Sequence, residues 1–128
     1  MIEADVKRKM SEDMKDAGAY ARRIEDTYAV GIFDMVLIPK GLPMFAAEVK
    51  MIHGNYFGPT PRQHIELVRI ETVAANAGHV IPVMIGYKEG VYHFHKPQMR
   101  IAVTDCFTSR GNFHDALTKY HKYLEANK

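Results

Sequence analysis

Residues 33–51 constrain the fold more than any other stretch. Two apolar runs flank Lys40-Gly41-Leu42, and within the runs only Asp34, Glu48 and Lys50 are charged. Apolar runs joined by a short glycine-containing connection predict a β-hairpin. Side chains alternate along a strand, so Glu48 and Lys50 share a face. If the hairpin folds symmetrically about Gly41, Asp34 falls opposite Glu48. Directly opposed residues have Cβ atoms roughly 5 Å apart, and like charges placed so oppose sheet formation.

Two carboxylates brought together in an apolar sheet require compensation. Either one keeps its proton or a cation lies between them. Oxygen ligands at this separation suit a hard divalent ion such as Mg²⁺, which accepts one or two carboxylates and retains water. A neighbouring lysine can orient an attacking water or stabilise charge developing on a phosphate. The competing arrangement has Asp34 in a turn and Glu48 and Lys50 on a solvated edge.

The rest of the chain supplies a frame for this hairpin. Ile2, Val6, Met10 and Met14 recur every four residues, predicting a helix over 2–17 that Gly18 ends. Glu3 lies beside this stripe, where an acid favours the helix start. Residues 19–24 read as a first strand. Glu25-Asp26-Thr27-Tyr28 is a polar connection, with Gly31 marking a bend before Asp34. After Lys50, residues 53–60 form a turn-rich loop carrying Tyr56 and Phe57, which either stack on bases or cap the core. Thr60 and Pro61 have the grammar of a helix start, and that helix runs through Ile65, Leu67, Val68 and Val73 to about residue 77. Gln63 sits in its first turn; Arg62 and Arg69 are candidate phosphate contacts. Strands follow over 79–87 and 91–95, with a further one over 99–104. His93 and His95 share a strand face, read as solvated, since two histidines alone make a weak zinc site. Residues 112–125 form a last amphipathic helix, with Phe113, Leu117 and Tyr120 inward and Lys119, His121 and Lys122 outward.

Composition narrows the class. The 128 residues, 47% apolar and 25% charged, suit a single globular domain with a substantial core. No apolar run has membrane-spanning length, no signal-like segment opens the sequence, and the lone Cys106 leaves no internal disulfide. These features lead to the expectation of a cytoplasmic protein. A formal net charge of +2 permits nucleic-acid binding without demanding it.

Asp34, a hairpin and then Glu48-Val49-Lys50 resemble the D…(D/E)xK signature of the PD-(D/E)xK nuclease superfamily. Phe33 stands where many members have proline. With Glu3 ahead and Gln63 behind, the order of elements is most similar to the small VRR-NUC and Holliday junction resolvase-type nucleases. The resemblance implies an α/β, restriction-endonuclease-like αβββαβ core over residues 1 to about 87, with a central mixed sheet flanked by helices. The remaining strands and helix would form a C-terminal extension over 88–128. It also implies Asp34, Glu48 and the Val49 carbonyl as Mg²⁺ ligands (Mn²⁺ substituting), with a helix-borne acid reaching the metal site, Glu3 in preference to Glu12. Lys50 would be the catalytic lysine, supported by Gln63. The implied activity is endonucleolytic hydrolysis of DNA, on branched substrates or restriction-type, in recombination, repair or phage replication. Symmetric cutting of a four-way junction further implies a homodimer. A catalytically inactive DNA-binding module and a purely structural domain remain the alternatives.

Overall fold

The computed structural model describes residues 1–24, 33–74 and 79–128. Expectations for Glu25, Asp26, Gly31 and the end of the second helix at 77–78 lie outside the described residues. The first helix, α1 (Glu3–Asp16), buries Val6, Met10 and Met14. Ile2, expected in the same stripe, is instead exposed. It lies outside the helix, and its N–H donates to Asp5 Oδ2 at 3.1 Å, so it marks the helix start rather than a core position.

Strands β1 (Tyr20–Arg23), β2 (Met35–Ile38) and β3 (Met44–Met51) follow in antiparallel order. The β2–β3 register pairs Met35 with Ala47 and Leu37 with Phe45, as a hairpin symmetric about Gly41 requires. Leu42 N–H donates to Pro39 C=O at 3.1 Å, and Gly41, at φ +75°, takes the position that favours glycine in such a turn. A two-residue strand, β4 (Tyr56–Phe57), precedes α2 (Pro61–Ala74). Strand β5 (Val80–Lys88) then pairs in parallel with β3, as a crossover through a helix allows. Pro82, buried within β5, lacks an N–H, but β6 (Val91–His95) pairs with β5 only from Met84 onward, so no ladder bond to β6 is lost.

Chain tracing after β6 departs from expectation. The strand expected over 99–104 shrinks to β7 (Ile101–Ala102), which pairs with β4 and leads into a 3₁₀ turn, Val103–Asp105. The loop expected over 53–60 therefore contains half of a small two-stranded sheet. An unanticipated strand, β8 (Phe107–Arg110), closes the main sheet in the order β1-β2-β3-β5-β6-β8. Its alternate residues are exposed, so it has little of the apolar signature of a buried strand. Helix α3 (Phe113–Ala126) completes the chain.

Two cores lie on opposite faces of this mixed sheet. The larger joins α1 and α3 to the odd-numbered side chains of β3, through Phe45, Ala47, Val49, Phe113, Leu117 and Tyr120. Segment 88–128 thus packs into the same core as the hairpin. Asp13 of α1 ties the layers, accepting the Phe113 N–H at 2.8 Å where α3 begins. His121, expected to face outward, is only 12% exposed along its side chain and sets its ring edge-on to Phe45. His93, expected on a solvated face, is buried, because β6 is an interior strand. Burial holds its pKa below the ordinary value.

The smaller core, Ile52, Phe57, Leu67, Met84 and Ile101, lies on the α2 side. Of the apolar residues expected to seat α2, Leu67 is fully buried, while Ile65, Val68 and Val73 are exposed. Gly58 permits the close approach of the β4 end to residue 99: a Cβ there would collide with the Met99 carbonyl, a backbone group that cannot rotate away. Gly58→Ala is expected to cost roughly 2–3 kcal/mol in urea unfolding by separating β4 from β7. An unchanged midpoint would show that the two segments part without loss.

Candidate active site

Asp34 immediately precedes β2, and its backbone N–H still pairs with Ala47 C=O at 2.9 Å. The backbone groups of β3 alternate in direction, so those of Ala47 and Val49 both face Asp34. Val49 N–H donates to Asp34 Oδ2 at 3.0 Å, a side-chain bond where the backbone ladder stops. The same alternation turns the Val49 carbonyl toward this side of β3, beyond the last β2 pair.

Glu48 and Lys50 leave β3 together on the other face, the one that carries α2. Glu48 is 1% exposed. Lys50 Nζ lies 3.5 Å from its Oε1, while Oε2 is buried with no hydrogen-bond partner. Burial, then a side-chain hydrogen bond to Asp34 and the charge of that carboxylate, push the Glu48 pKa up from 4.5 to about 9, against the pull of Lys50 and Lys7. The expected conflict between two carboxylates therefore exists, and the protein meets it in part by favouring the protonated form of Glu48.

It also answers with a residue that the sequence did not single out. Lys7 of α1 places Nζ 3.1 Å from Asp34 Oδ2 and 3.2 Å from Glu3 Oε2, with its side chain only 12% exposed. Burial works to lower its pKa, but Asp34 and then Glu3 outweigh that and raise it. Glu3 reaches the neighbourhood through this lysine. Glu12 is exposed. The only sequence signal for Lys7 was its place beside Val6 and four residues after Glu3, which ordinarily marks a solvated helix pair.

The other candidate residues are distributed differently. Gln63 is occupied at the start of α2: its Oε1 accepts from Thr60 N–H at 3.0 Å, and its own N–H donates to Thr60 Oγ1 at 3.3 Å. This is a capping box, legible as Thr-x-x-Gln, and it directs the amide to the helix terminus. Arg62 and Arg69 are exposed on α2. Tyr56 is 49% exposed, with the Arg100 guanidinium 3.9 Å from its ring centroid, whereas Phe57 is buried in the smaller core. Phe57 thus lacks the exposed ring that base stacking needs, because strand alternation turns it opposite to Tyr56. Cys106 is half-buried, its thiol pushed up to about 11 by burial and then by Asp105, away from nucleophilic use.

The residues present fit a divalent cation. Asp34, the unpartnered Glu48 Oε2 and the Val49 carbonyl offer hard oxygen donors. Among the described residues no group of three or more His, Cys, Asp or Glu gathers.

No family model matches the sequence, and no curated protein matches it. The fold has a solved counterpart: the structure of Archaeoglobus fulgidus Hjc, a Holliday junction resolvase from an archaeal hyperthermophile. The likeness has a TM-score of 0.62 at 16% identity, covering 91% of this chain and 98% of that one. The fold is restriction-endonuclease-like. No helix among the described residues is long and apolar enough to cross a membrane.

The Glu48 carboxyl generates a pH prediction. A folded-state pKa of about 9 against 4.5 means that the folded chain keeps a proton which the unfolded chain releases. This contribution is complete below 4.5 and is lost as pH rises toward 9. In EDTA, urea midpoints of the wild type should fall from pH 5 to 9 relative to Glu48→Gln, which keeps a neutral side chain throughout. Parallel pH profiles would contradict the assignment.

Proposed function

We propose that this chain is a Mg²⁺-dependent DNA endonuclease, selective for branched DNA of the four-way-junction type and acting as a homodimer. Its setting would be recombination, repair or phage replication in the cytoplasm of a bacterial or phage-infected cell. The observation that carries the reading is the pairing of the buried Glu48 with the half-buried Asp34, with no donor to Glu48 Oε2 and with Lys50 alongside. It occurs on a fold shared with a Holliday junction resolvase.

The division of labour follows from position. Asp34, Glu48 and the Val49 carbonyl would hold the cation, which when bound would acidify an attacking water and offset charge on the scissile phosphate. Lys50 stands beside Glu48 on the same strand face and would orient the attacking water and stabilise the phosphorane charge as it develops. Gln63 would support Lys50 only by giving up its capping bonds to Thr60. Tyr56, reached through β4 soon after Lys50, offers an exposed ring for a base, with Arg100 adding positive charge beside it. Arg62 and Arg69 on α2 would meet phosphates.

A second reading, a nuclease-like module that binds DNA without cutting it, draws on one observation: Lys7 already neutralises Asp34. Cleavage assays on a labelled four-way junction, linear duplex and single-stranded DNA, with Mg²⁺, Mn²⁺ or EDTA, separate the two. Metal-dependent paired nicks in the junction are expected, with Asp34→Asn and Lys50→Ala each lowering the rate by about 100-fold or more. Equal cutting of all substrates would remove branch selectivity, and binding without cutting would favour the second reading. Tyr56→Ala is expected to weaken DNA binding by about 5- to 100-fold while leaving the fold intact, measurable by fluorescence anisotropy.

A further inference from the structure

We infer that Lys7 is a resident counter-cation of the carboxylate pair, which a divalent ion must displace, so that Lys7 sets how much metal the site needs. This rests on the metal-binding reading above and adds a residue and a function to it.

The geometry carries the argument. Lys7 follows Val6, which is fully buried under α1, so the seat of the helix on the sheet fixes where the lysine can reach. Its Nζ stands 3.1 Å from Asp34 Oδ2, the oxygen that also accepts the Val49 N–H. An ammonium nearly removed from solvent, in contact with a proposed metal ligand, repels any second cation brought to that ligand. Glu3 gives the lysine somewhere to go. Its carboxylate is 3.2 Å from the same Nζ, one helical turn earlier and 41% exposed. Lys7 is thus shared between an inner carboxylate that the metal needs and an outer one that it does not. Metal binding would move the ammonium fully onto Glu3, and loss of metal would return it to Asp34. In this scheme Glu3 positions Lys7 rather than ligating the ion, and Lys7 acts on the metal through Asp34.

The exchange is a linkage between two cations at one site, so removing one must strengthen binding of the other. Calorimetric titration of Mn²⁺ into the metal-free protein reads this directly, without reference to cleavage. Lys7→Met and Lys7→Gln are expected to bind Mn²⁺ about tenfold tighter than the wild type, within the usual range of such coupling. Both should melt at lower temperature in EDTA and gain more from saturating Mn²⁺. Two neutral replacements guard against one failing to fold, which circular dichroism would reveal. Glu3→Gln should have no further effect on affinity in the Lys7→Met background. Equal or weaker binding by the folded Lys7 variants, with the wild type binding normally, would overturn the inference and leave the metal site standing. A Glu3→Gln loss that persists without Lys7 would make Glu3 a ligand and also overturn it. No heat of binding in the wild type or any variant would remove the metal-binding reading, and this inference with it.

Discussion

The opposition of Asp34 and Glu48 across one hairpin is the constraint on which the account turns. A sheet with buried faces tolerates a carboxylate only if its charge is neutralised or its oxygens are bonded. Here the two acids divide the solutions. Asp34 accepts a backbone N–H and an ammonium, while burial and a hydrogen bond to Asp34 drive Glu48 toward its protonated form. A hydrophobic pair in their place would satisfy the sheet more simply. Perturbed carboxylates of this kind cluster at functional sites, which is why the proposed function is built on this pair.

The fold supplies the rigidity that the conflict needs. Strand β3 is paired on both sides, with β2 and with β5, and its odd-numbered side chains anchor in the larger core under α1 and α3. Its even-numbered side chains are therefore delivered to the opposite face with little freedom. The aromatic packing of Phe94, Phe107, Phe113 and Tyr120 fixes α3 on the sheet, and the Asp13–Phe113 bond fixes α1 to α3.

What was legible in the sequence was local or periodic. The hairpin register followed from a symmetric turn at Gly41, and α1 and α2 followed from apolar spacing and from Thr60-Pro61. The small sheet of Tyr56–Phe57 and Ile101–Ala102 was not legible, because two-residue strands have no measurable period and pair only through tertiary contact. Strand β8 was missed because an edge strand with exposed alternate residues resembles a loop. His93 was misplaced because a polar residue between Tyr92 and Phe94 suggests a solvated face, whereas an interior strand buries both. Lys7 was invisible for a different reason. Its partner Asp34 is a tertiary neighbour, and nothing in a helix beginning with Glu3 distinguishes a lysine that reaches inward from one that does not. Gln63 shows the converse: its capping role was written in Thr-x-x-Gln, but the resemblance drew attention to the site.

The most direct test of the account is the position of a bound ion. A crystal of the protein soaked in Mn²⁺ and measured at an anomalous wavelength would locate it without inference from activity. An anomalous peak is expected within coordination distance of Asp34, Glu48 Oε2 and the Val49 carbonyl, with Lys7 Nζ withdrawn from Asp34 toward Glu3. A well-ordered site with no peak there, or a peak held by other residues while Lys7 still grips Asp34, would contradict it.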